Sequence, residues 1–259
     1  MLKEKEIDVQ KVLSLAMDVG KAMIKCGSEI SRVEETIIRI CHFYGMKQTD
    51  VFSVISMMHA TTIDKEGKTY TQSRRVYSYS NNFGKLEKLN ALSRNICSGT
   101  VSLDDGREKL ESIMEEKSPF HLTAMIGSML AAGGFTVFFG GTMLDAMASL
   151  PIACIIYLMN TLIKARGMNK LFYTALCSAI SGALAIVFTK IGFGNNPDLI
   201  MIGDIMVIIP GVMLINSVRE MLCGDVMSGL LRFLEAIIIA MSIACGFAVP
   251  ILAFGKLGW

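Results

Sequence analysis

Several things are scarce in this 259-residue sequence, and each shortage removes a class of function. The seven cysteines, at 26, 41, 97, 154, 177, 223 and 245, form no CxxC pair and take no metal-ligand spacing with the three histidines. Buried reduced thiols are therefore expected, with neither a redox dithiol nor a metal site. Charge of one sign is also lacking: the net charge of +2 offers nothing to a polyanion, so no nucleic acid partner is expected. Ser53, Ser56, Thr61 and Thr62 have no His or Asp at triad spacing, and His42, His59 and His121 stand apart from one another. No enzyme activity and no cofactor are expected. The opening MLKEKEIDVQK lacks the apolar stretch of a signal peptide, so the first half is expected to stay on the side of synthesis.

What is present in excess is apolar surface. Hydrophobic residues make up 52% of the chain, high for a soluble domain. Charge is unevenly placed: of the 48 Lys, Arg, Asp and Glu residues, 35 fall in residues 1–118 and 13 in residues 119–259. Two regions in two solvents are expected, a cytoplasmic α+β domain over 1–118 and a transmembrane domain over 119–259.

In the first region, Val12, Leu15, Ala16, Val19 and Met23 recur at helical spacing until Cys26-Gly27 stops them. A second helix follows, opened by Ser28 or by the capping box Ser31-x-x-Glu34 and closed at Tyr44-Gly45, so the two form a hairpin. Residues 49–63 and 70–79, rich in Val, Ile, Thr, Tyr and Phe around Asp64-Lys65-Glu66-Gly67, predict short antiparallel strands. Helices return at 83–97 and 103–116, the latter started by Ser102 or Asp104.

Beyond Pro119, stretches at about 121–139, 142–163, 171–191, 199–219 and 233–254 approach the roughly 20 apolar residues that cross a bilayer, predicting a bundle of five transmembrane helices. Their internal glycines, with many Ala and Ser, suit close packing in lipid. Lys117 before the first stretch and Lys164, Arg166 and Lys170 between the second and third predict a cytoplasmic N-terminal domain. Trp259 then lies outside.

Polar groups inside such helices are expensive and mark function by default. Asp145, Asp204 and Glu235 are candidate proton carriers, because desolvation disfavours the charged form of a carboxylate. Pro210 lacks an amide hydrogen and Gly211 weakens the helix beside it, so the fourth stretch is expected to kink or break there, as transporter helices do around a substrate. Asn216, Arg219 and Glu220 share one helix face, and Asp225, Ser228, Arg232 and Glu235 share another, with Gly224 and Gly229 allowing a tight turn between. Pro210, Gly211, Asn216, Arg219 and Arg232 are the candidate substrate contacts, an arginine fork being suited to a carboxylate. Glu220 and Asp225 are the candidate gate or salt-bridge residues.

The run Pro210-Gly211-x4-Asn216-x2-Arg219-x4-Gly224-Asp225-x2-Ser228-Gly229-x2-Arg232-x2-Glu235-Ala236 resembles the signature of the threonine/serine exporter (ThrE-like) family. Gly27-Ser28-Glu29-Ile30-Ser31-Arg32-Val33-Glu34 is similar to its "G-x-x-x-x-R-V-E" helix junction, and Thr71-Gln72-Ser73-Arg74-Arg75-Val76 and the 86–110 segment continue the likeness. The resemblance implies a secondary exporter at the plasma membrane (the inner membrane in a Gram-negative cell), driven by an ion gradient. It also implies the short, YjjP-like form, which carries the N-terminal domain and the first membrane module while a separate small membrane subunit supplies the second. A hetero- or homo-oligomer in membrane lipid follows, with a small-molecule substrate; threonine or serine and a succinate-like dicarboxylate both fit. The rival expectation is a membrane-anchored hydrolase or ligand sensor acting through residues 1–118.

Overall fold

The computed structural model describes residues 8–116, 121–164 and 169–255. The readings that fall on residues 1–7, Lys117, Pro119, Arg166 and Trp259 lie outside the described residues. By its contacts the chain forms two compact units. The first comprises the N-terminal elements together with Ile215–Phe233; the second holds the remaining helices.

In the first unit, helix α1 (Val9–Lys25) starts at Asp8, whose carboxylate accepts the amides of Gln10 (3.1 Å) and Lys11 (3.3 Å). The expected apolar face is buried, and Gly27, at φ 89°, turns the chain toward α2 (Ile30–Phe43). Gly20 lets the hairpin close: a Cβ there would sit 2.8 Å from both Ile37 of α2 and Met58. The expected capping box does not form, because the Glu34 carboxylate turns instead to the Ser53 amide at 2.6 Å.

Strands β1 (Gln48–Val54), β2 (Met57–Ile63) and β3 (Thr69–Arg75) form an antiparallel sheet in the order β1-β2-β3. The stretch predicted over 49–63 is two strands, folded back at Ile55-Ser56 so that Val54 faces Met57. Helices α3 (Phe83–Cys97) and α4 (Leu103–Glu115) follow, and Ser102 caps the second by accepting the Asp105 amide at 3.2 Å. A core of Leu13, Met17, Ile24, Ile37, Ile40, Met58, Leu89 and Ile96 joins the helices to the sheet.

The later helices are α5 (His121–Phe138), α6 (Met143–Lys164), α7 (Lys170–Lys190), α8 (Pro197–Ile208), α9 (Gly211–Leu222) and α10 (Val226–Gly255). Among the described residues, three helical stretches are long and apolar enough to cross a membrane: Met143–Thr161, Lys170–Lys190 and Val226–Phe254. Of the five spans expected, the fourth of them broken, three are found whole, and the bent pair brings the number to up to four. The stretch at 199–219 is a bent pair, and the apolar part of α5, Leu122–Phe138, is shorter than the others. Helices α8 and α9 turn by 54° at Ile209-Pro210, the break that a missing proline amide favours. The last helix begins at Val226, well before the predicted 233, and so takes in Ser228 and Arg232. Ile152, Ile156, Ile186, Ile200, Met201, Ile243 and Phe247 make the core of the second unit.

Candidate functional site

The polar residues of 215–233 belong to the first unit, and there the two motifs separated most widely in sequence meet. Arg219 on α9 donates to Glu29, the residue before α2, at 2.7 Å. Arg232 on α10 pairs with Glu220 on α9 at 2.9 Å, with both side chains almost excluded from water (2% and 1% exposed). The Arg232 guanidinium also lies over the Tyr79 ring, 5.7 Å from its centroid. Ser228 donates to the Ser53 carbonyl at 3.4 Å, and the Ser53 amide is the donor to Glu34.

Glycine makes this packing possible. Gly224, at φ 99°, turns α9 into α10, and a Cβ on Gly229 would fall 2.7 Å from the Ser217 carbonyl oxygen. The helices therefore approach backbone to side chain, which brings Glu220 and Arg232 within reach. Asn216 is half-buried on the same stretch of α9. Burial pushes the Glu34 carboxyl above its ordinary range; the Ser53 amide opposes this and the negative charge of Asp225 adds to it.

The other candidates lie in the second unit. Asp204 on α8 is fully buried; one carboxylate oxygen accepts the Ser181 hydroxyl of α7 at 2.9 Å, and the other has no hydrogen-bond partner among the described residues. Beside it, Gly203 packs against α5, where a Cβ would meet the Ala132 carbonyl oxygen at 2.6 Å. Pro210 and Gly211 form the break nearly two turns further along the chain.

Asp145, also fully buried, is held differently. It accepts the Thr142 amide (2.9 Å) and hydroxyl (2.7 Å) on one oxygen and the amides of Asn195 (2.6 Å) and Asn196 (2.9 Å) on the other. Four donors make it an anchor that ties the loop before α8 to the start of α6. Glu235 on α10 accepts from Lys170, the first residue of α7, at 3.2 Å.

Sequence reasoning did not find Glu29, Ser53, Tyr79 or Ser181 as partners. Glu29 and Glu34 lie within the helix-junction motif, which singles them out without naming their partners Arg219 and Ser53. Ser181 had no such signal, because it reads as one of many small residues in an apolar helix.

Apolar helices of membrane-crossing length and buried carboxylates inside the apolar unit define a helical membrane protein, with one helix broken at Pro210-Gly211. A family model described as "Putative threonine/serine exporter" matches residues 14–254, and the chain belongs to that family. The chain is 23% identical over 248 residues to a Mycobacterium tuberculosis protein named "Probable threonine/serine exporter", covering 95% of this chain and 47% of that one. It is 22% identical over 253 residues to the "Threonine/serine exporter" of Corynebacterium glutamicum, covering 94% and 51%. It thus spans about half the length of these two relatives. Against "Probable succinate transporter subunit YjjP" of Escherichia coli it is 22% identical over 255 residues, covering 96% of both chains. No solved structure matches.

Proposed function

We propose that this chain is a subunit of a proton-coupled secondary transporter that exports small carboxylate-bearing metabolites across the plasma membrane. The substrate is a threonine- or serine-like amino acid or a dicarboxylate such as succinate, as the names of the relatives suggest. A second small membrane subunit completes the path; the near-complete two-way coverage with a relative named as a transporter subunit supports this, as does the half-length coverage of the longer ones. The N-terminal domain is cytoplasmic.

The single observation that carries the reading is Asp204. A fully buried carboxylate with one hydroxyl donor and one oxygen left unpartnered among the described residues has a place for a proton, and it stands on the helix that breaks at Pro210-Gly211. Backbone groups freed at that break meet the polar groups of the substrate. Arg219, more than half exposed and held by a single carboxylate, exchanges Glu29 for the substrate carboxylate. Arg232 and Glu220, sealed from water, act as a latch with Asp225 beside them, and Glu235 with Lys170 is a second charged pair whose exchange accompanies proton movement. Asn216 completes the polar face of α9.

The test is export from metabolite-loaded cells that express the chain with its partner subunit. Asp204→Asn should abolish export and Arg219→Ala should raise the substrate concentration needed for it. Unchanged export in Asp204→Asn, Arg219→Ala and Arg232→Ala together would remove the assignment.

A further inference from the structure

The first unit carries a groove that the transport reading does not use. It has a volume of about 630 Å³, within the range of sites for small molecules, and lies where the first turns of α1 and α4 meet β3. Its floor is an ordered charge network. Arg74 of β3 donates to Asp18 (2.8 Å) and to the Ser14 hydroxyl (3.2 Å), and Arg107 of α4 donates to the same hydroxyl (3.1 Å). Each guanidinium keeps further N–H groups beyond these bonds, since the fork has five. At the groove wall Gln72 gives its amide hydrogen to the Gln10 carbonyl (3.3 Å), while its own oxygen is buried and has no hydrogen-bond partner among the described residues.

The charges select the ligand. The lining cations Lys11, Arg74 and Arg107 are balanced by Asp8 and Asp104 on the wall and by Asp18 beneath the arginines. A dianion would find no net positive field there, whereas a molecule with separated charges of both signs finds a partner for each. We propose that this groove is a binding site for a small zwitterion of the α-amino acid class, separate from the transport path. The ligand carboxylate lies on the free N–H groups of Arg107 and Arg74. Its ammonium group donates to Asp104. Given the proposed cytoplasmic placement of residues 1–118, on which this step rests, occupancy of the groove reports the amino-acid level in the cytoplasm.

The experiment is hydrogen exchange with mass spectrometry on the full chain in detergent, with L-threonine, N-acetyl-L-threonine and succinate as probes. L-Threonine should slow amide exchange in the first turns of α1 and α4, and neither the N-acetyl compound nor succinate should do so. Arg107→Gln should remove that protection, and Asp104→Asn should weaken the apparent affinity by about tenfold, the loss of one charge-assisted contact. Asp204→Asn, in the other unit, should leave it intact, so a failure of the export reading and a failure of this one are told apart. The proposal is overturned by the absence of protection in these turns, by equal protection with succinate, or by its persistence in Arg107→Gln.

Discussion

Arg232 and Glu220 are joined at 2.9 Å with almost no contact with water, so each is the answer to the other's burial. Their helices are adjacent in sequence, but the pair exists only because Gly224 and Gly229 let α9 and α10 come close.

Removing one partner of such a pair leaves an uncompensated buried charge, which costs about 3–5 kcal/mol. Glu220→Gln and Arg232→Met should therefore each lower the thermal unfolding midpoint of the detergent-solubilised chain. The double substitution should recover most of the loss, because two neutral groups no longer need each other. Additive losses would show that the two residues act separately.

Gly229→Ala tests the close approach. The added Cβ, 2.7 Å from the Ser217 carbonyl oxygen, must push the helices apart, at a cost of about 1–3 kcal/mol. Gly127→Ala is the control, since a Cβ there meets nothing within 4 Å. Unfolding midpoints should fall for the first and stay level or rise for the second.

Glu34 predicts a pH dependence. Burial raises its carboxyl above the ordinary 4.5, so the folded chain holds that proton more tightly than the unfolded chain does. Its contribution to stability is present below pH 4.5 and lost as pH rises through the folded value. Glu34→Gln keeps an acceptor for the Ser53 amide but cannot titrate. The difference in unfolding midpoint, variant minus parent, should grow as pH rises from 4.5; a constant difference would contradict it.

Asp145→Asn should loosen the loop before α8. It replaces a carboxylate that accepts four donors, and hydrogen bonds to a charged group are worth about 1.5–3 kcal/mol each. Faster amide exchange at Asn195 and Asn196 is the expected readout.

What the sequence made legible follows local rules. The faces of α1 and α2, the Ser102 cap, the break at Pro210 and the turn at Gly224 each depend on neighbours within a few residues. The turn at Ile55-Ser56 was hidden because it contains no Gly, Pro, Asn or Asp. Glu34 looked like half of a capping box, yet a tertiary contact with Ser53 outbid the local one. The guanidiniums of Arg219 and Arg232 were visible as candidates, but Glu29, far away in sequence, could not be read as the partner of Arg219. Helix α10 was predicted to start late because Ser228 and Arg232 look too polar for an apolar helix; their burial in the first unit accounts for them. Of the carboxylates, only the surroundings separate Asp145, with four donors, from Asp204, with one.

In the proposed function, Asp204 carries the proton that drives export. This role is tested most directly in proteoliposomes holding the chain and its partner subunit, by following efflux of loaded threonine or succinate with and without an imposed pH gradient. The parent should show efflux accelerated by the gradient, whereas Asp204→Asn should retain exchange of substrate for substrate and lose the response to the gradient. A variant that responds to the gradient as the parent does would remove Asp204 as the proton carrier.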